Sequence, residues 1–338
     1  MESDEDKSAD RIRRRAGNRL KLWVLLDANR WVVTAGLLAV VFCSLVVLGT
    51  AAPVSLRTAA SQSDPVETLF QALVTAIITG VTLVVTITQL VLSQELGPAG
   101  DQRERMDGAM QFRRDVADHL DAPVSPAEPA AFLAALIDAT ATRAEALADA
   151  VGGTDPDVGE RVTDFVDELT ENATAVRDRL DGAEFGTFAV VSAALDYNYS
   201  RKIHEARQLQ EAHGGTLSGE ATAALEELLG TLKLFGPARE HVKTLYFQWE
   251  LVNLSRAILY AAVPALVVAI GGVLLLEMPA AVTGTTLGVD NHLLVVSGAT
   301  TVAVTPFLLL LSYILRIVTV TKRTLAIGPF VLRETGGG

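Results

Sequence analysis

The sequence predicts an all-α membrane protein, with four transmembrane helices and a cytoplasmic helical bundle inserted between spans two and three. Three observations carry this. Residues 31–56, 68–94, 257–276 and 291–315 contain no Asp, Glu, Lys or Arg. Each run is long enough, at about 1.5 Å per residue, to cross a hydrocarbon core of about 30 Å. One such charge at the centre of a spanning helix costs about 2.5–3.5 kcal/mol, so charge-free runs bounded by charges mark membrane segments. The stretch between the second and third runs is strongly charged, and its apolar residues recur with helical rather than strand period.

The basic residues assign the sides. Arg11, Arg13, Arg14, Arg15, Arg19, Lys21 and Arg30 precede the first run, and Lys322 and Arg323 follow the fourth. The short loops 53–66 and 277–290 hold only Arg57. The excess of Lys and Arg on one side places both termini and the intervening domain in the cytoplasm. The expected division is a basic N-terminal segment (1–30), a first transmembrane hairpin (31–96), an acidic cytoplasmic helical domain (97–250), a second hairpin (251–321) and a cytoplasmic tail (322–338). Residues 11–30 mix bases with Leu20, Leu22 and Trp23. That pattern suits either a helix lying on the inner leaflet or a flank that only sets orientation.

Net charge is −12, although 50% of residues are hydrophobic. Residues 96–250 hold 28 acids against 14 bases, and only six of the chain's 28 bases are lysines. Such a surface suits a cytoplasm with molar salt, where charge repulsion is screened within a few Å. A halophilic source is the expectation. The single Cys43 lies within the first run and reads as a small apolar filler.

Within the inner domain, Ser125-Pro126-Ala127-Glu128 predicts a capped helix running to about residue 151. Thr154-Asp155-Pro156 opens another. Its apolar positions Val158, Val162, Phe165, Leu169, Ala173, Val176 and Leu180 fall three or four residues apart, and Gly182 closes it. Helices are expected over about 185–212 and 219–234, the last ending at Gly236-Pro237. A continuous rod then leads from residue 238 into the third span. Gly97-Pro98, Gly236-Pro237 and Gly328-Pro329 read as helix breaks, because Pro cannot continue a hydrogen-bonded helix. Pro264 and Pro306 predict kinks in spans three and four. No strand pattern is visible.

The second run carries the sharpest functional signal. Glu67, Gln71, Thr75, Thr79, Thr82, Thr86, Gln89 and Ser93 are spaced by three or four and share one helix face. From Gln71 to Ser93 the stripe is about 33 Å long, the thickness of a bilayer core. These eight are candidate pore-lining residues, with Glu95, Arg256 and Arg316 as candidates at an inner mouth. The competing readings are a face that tolerates lipid, each Thr bonding the carbonyl four residues back, and contacts between helices within one subunit.

Phosphate-loop, dinucleotide, metalloprotease and nucleophile-elbow motifs are all absent, so no enzyme, cofactor or metal site is expected. Nothing basic and aromatic points to nucleic acid. The layout is similar to that of bestrophin-type channels, in arrangement only and without their motifs. The expected function is an oligomeric, channel-like membrane protein. Its partners would be the lipid bilayer, further copies of the chain, and ions or small solutes. The alternative is a non-conducting anchor or sensor whose inner bundle recruits a cytoplasmic partner.

Overall fold

The structure, a computed structural model, describes residues 23–53, 56, 58, 64–95, 97–152, 155–184, 186–276 and 282–324. The basic stretch through Leu22, Arg57 and the Gly328-Pro329 pair lie outside the described residues. A five-residue π-helical turn, Trp23–Asp27, precedes α1 (Arg30–Ala51), α2 (Pro65–Glu95), α3 (Ala99–His119) and α4 (Pro129–Ala150). There follow α5 (Pro156–Leu180), α6 (Phe188–Asp196), α7 (Tyr199–His213) and α8 (Gly219–Leu275). The last described elements are β1 (Thr285–Thr286), β2 (Val289–Asp290), α9 (Asn291–Ala303) and α10 (Thr305–Thr324). Among the described residues the protein is all-α apart from one minimal ribbon.

Two compact units result: Met1–Leu96 with Glu250–Thr319, and Gly97–Trp249 with Val320–Gly338. In the first, α1, α2 and the end of α8 are each long and apolar enough to cross a membrane. The pair α9 and α10 makes a fourth if counted as one span, bent by 47° at the break. The bend sits at Val304, and Pro306 follows in the first turn of α10, where its missing N–H costs least. The core of this unit joins Val66, Phe70 and Ile77 of α2 to Ala262, Ala265 and Ala269 of α8 and Val296 and Ala303 of α9. Small residues on α8 let the backbones approach. A methyl group at Gly272 would lie 2.5 Å from the Phe70 ring, closer than any carbon contact permits.

The ribbon was not legible as strand. Its two strands are two residues each and pair antiparallel, Thr285 with Asp290 and Thr286 with Val289. That is too short for an alternating pattern. The turn is made by Leu287 and Gly288 at φ 52° and 79°, the positive-φ pair that a two-residue hairpin needs. Cys43 is exposed on α1.

In the second unit, α5 buries all seven residues of its predicted stripe, together with Val166. Asp155 caps it by accepting from the Asp157 N–H at 3.1 Å. Three expectations are corrected here. The helix expected from Ser125 begins at Pro129, with Glu128 as its cap, accepting from the Ala131 N–H at 2.7 Å. Pro129 disfavours helical geometry in the residue before it, and Glu128 is extended. The single helix expected over 185–212 is two, because the break at Tyr197-Asn198 is supported by a distant side chain. Asn172 on α5 donates to the Asp196 carbonyl at 3.2 Å, replacing a helical partner.

The third correction concerns Gly236-Pro237, which does not end a helix. α8 runs unbroken through it for 57 residues, about 85 Å. Phe235 and Ala238 are buried on either side, and Phe235 meets the Tyr197 ring edge-on at 4.7 Å. A Cβ at Gly236 would come within 3.1 Å of the Tyr199 ring, so glycine lets the ring lie close without shifting. Contacts with Tyr197, just after α6, and Tyr199 of α7 hold this stretch, which stays helical despite the roughly 3 kcal/mol by which an interior proline disfavours a helix.

Candidate functional site: a polar helix face and a buried charge cluster

Helix α2 presents two faces. Val66, Phe70, Ile77 and Val84 are buried, whereas Gln71, Thr75, Thr79, Thr82, Thr86, Gln89 and Ser93 are exposed along the other side. Glu67 is half-buried and accepts from the Gln71 amide at 2.6 Å. The stripe therefore faces away from the described core of the unit.

Each threonine of the stripe returns its proton to its own helix. Thr75 donates to the Gln71 carbonyl at 3.1 Å, Thr79 to Thr75 at 2.8 Å, Thr82 to Ile78 at 2.9 Å and Thr86 to Thr82 at 2.9 Å. A hydroxyl held this way keeps both lone pairs facing outwards, so the face is a row of acceptors. Off the stripe, Thr88 on α2 meets the Ser255 hydroxyl on α8, a contact between helices. Glu95 is the last residue of α2, and its side chain lies outside the described residues.

The inner-mouth candidates separate. Arg256 is exposed on α8. Arg316 is not, and its guanidinium turns into the unit. It donates to the Glu250 carboxylate at 2.6 Å and to the Ala28 carbonyl at 2.7 Å. Glu250 itself is 3% exposed.

Arg30, also buried, completes the cluster. Its guanidinium donates to the carbonyls of Val24 at 2.9 Å, Ala28 at 2.6 Å and Ser312 at 3.2 Å. Nearby, Thr34 donates to the Ser312 hydroxyl at 3.3 Å. Two arginines thus tie the residues before α1 to α10, and Glu250 ties α10 to α8. In the sequence Arg30 reads only as a topology flank, and Glu250 belongs to no motif. The available signal was an acid, Glu250, within one or two turns of a charge-free run.

A family model matches residues 1–337 of this chain. The chain belongs to DUF7972, a family of unknown function. No curated protein and no solved structure matches it. Within this DUF7972 chain, the polar face of α2 and the Arg30–Glu250–Arg316 cluster are two places in the first unit where polar side chains gather among the described residues.

Proposed function

We propose that this is a multi-pass membrane protein that assembles as a homo-oligomer around α2 and forms a channel-like path for ions or small solutes. Both termini and the acidic unit are cytoplasmic in this reading, and the acidic unit serves as vestibule or gating domain. The observation that carries it is the exposed acceptor row from Gln71 to Ser93, backed by buried Phe70, Ile77 and Val84. A subunit with so few spans cannot enclose a path by itself. Copies arranged about α2 would shield the row from lipid and give it water. The acidic surface fits a salt-rich cytoplasm, where its repulsion is screened.

A second reading has its own support. Hydroxyls that donate to their own helix are the form in which Thr tolerates lipid, which suits a non-conducting anchor or sensor. The test is conductance of purified protein in planar bilayers, wild type against the triple variant Thr79→Val, Thr82→Val, Thr86→Val. Valine keeps the shape and removes the acceptors, so a conducting path dewets and closes. Wild-type current that the triple variant abolishes, with oligomer size unchanged, supports the channel. A well-formed oligomer that passes no current under any salt, voltage or tension leaves the anchor.

A further inference from the structure

Residues 96–250 carry twice as many acids as bases, yet one cleft in the second unit has no carboxylate among its lining residues. It lies among α3, α4 and α8 with a volume of about 320 Å³. Phe112, Phe132, Val242 and Leu245 wall it, and Arg113 and His241 are its ionisable groups. Ligand sites are typically apolar concavities of about 300–1,000 Å³ with a few placed polar groups, so the size suits one small molecule.

Arg113 is set in place before any ligand arrives. It donates to the carbonyls of Ser125 at 2.8 Å and Pro126 at 2.9 Å. Its guanidinium lies 5.7 Å from the centre of the Phe132 ring, which in turn sits 6.1 Å from Phe112. Carbonyls and rings orient a cation without neutralising it. Other arginines of this unit, Arg143, Arg177, Arg179, Arg201 and Arg239, pair with carboxylates. No described carboxylate pairs with Arg113. A fixed guanidinium beside two aromatic rings is complementary to a molecule with an anionic head and an apolar body.

We propose that this cleft binds a small apolar carboxylate, its aromatic or branched body against Phe112 and Phe132 and its carboxylate on Arg113. This site is independent of whether the spans conduct.

The probe is 4-benzoylbenzoate, a photoreactive aromatic carboxylate, irradiated with the full chain in nanodiscs and mapped by peptide mass spectrometry. Adducts are expected on the segments around Phe112 and Val242, with protection by excess 2-naphthoate. Labelling falls at least tenfold with the neutral 4-benzoylbenzamide, and likewise in Arg113→Gln, while Arg113→Lys retains part of it. Ala109→Phe, made from an exposed position on the cleft wall, blocks it by occupying the space. Equal labelling by acid and amide overturns the proposal, as does labelling spread along the chain without naphthoate protection. The acid–amide comparison uses wild-type protein, so it decides the matter even if a variant fails to fold.

Discussion

Arg316 on α10 donates to the carboxylate of Glu250 on α8 at 2.6 Å, across 66 residues of sequence, with both side chains largely withdrawn from solvent. Removing one partner of a buried ion pair strands the other charge, which costs about 3–5 kcal/mol. Replacing both by apolar groups of similar volume is far milder. Glu250→Leu and Arg316→Met should each lower the melting temperature of the detergent-solubilised protein clearly, and the double variant should recover most of the loss. A double variant as unstable as the worse single one would show that the pair is not the unit of stability.

Lys202 on α7 is buried, and desolvation pulls its ammonium down from 10.5 to about 8, although Glu168 and Glu205 favour the charged form. It donates to Asn172 at 2.6 Å and lies over the Tyr197 ring. A lysine with a depressed folded pKa binds its proton more weakly folded than unfolded. Its charge therefore penalises the fold fully below pH 8, and the penalty fades as pH rises towards 10.5. Relative to Lys202→Met, the wild type should gain about 3 kcal/mol of stability across that window and nothing below it. Denaturant unfolding of both proteins at a series of pH values checks this, and a flat difference would refute the assignment.

Gly272 and its neighbour Gly271 make a matched pair. A Cβ at Gly272 collides with Phe70, whereas one at Gly271 meets nothing within 4 Å. Gly272→Ala should therefore destabilise the protein by about 1–3 kcal/mol through overpacking. Gly271→Ala should be neutral or slightly stabilising, since alanine favours helix by up to about 1 kcal/mol. Thermal unfolding of the two variants side by side decides it.

The proposed sidedness has a chemical test. In a Cys43→Ala background, single cysteines at Ser61 and Thr286 should react with an impermeant thiol reagent on intact cells. A cysteine at Ala146, exposed on α4, should react only after permeabilisation. Labelling of Ala146→Cys on intact cells would put the acidic unit outside.

Local sequence determined the parts of this protein whose energetics are local. The charge-free runs become long apolar helices because a helix pairs its backbone groups within the run itself. The α5 stripe from Val158 to Leu180 is buried as spaced, since one turn of helix repeats the same face. The polar row on α2 was readable for the same reason, but its exposure was not, because only the packing of Phe70 and Ile77 shows which side is covered. Tertiary structure decided the rest. Gly236-Pro237 reads as a break until Tyr199 is laid against it, and the interruption at Tyr197-Asn198 depends on Asn172 from another helix. The arginine–glutamate cluster joins residues 30, 250 and 316, which no local spacing relates. In each case the residues that meet are distant in sequence, so a preference read over one or two turns of helix carries no record of the contact. Such a contact exists only once the chain has folded.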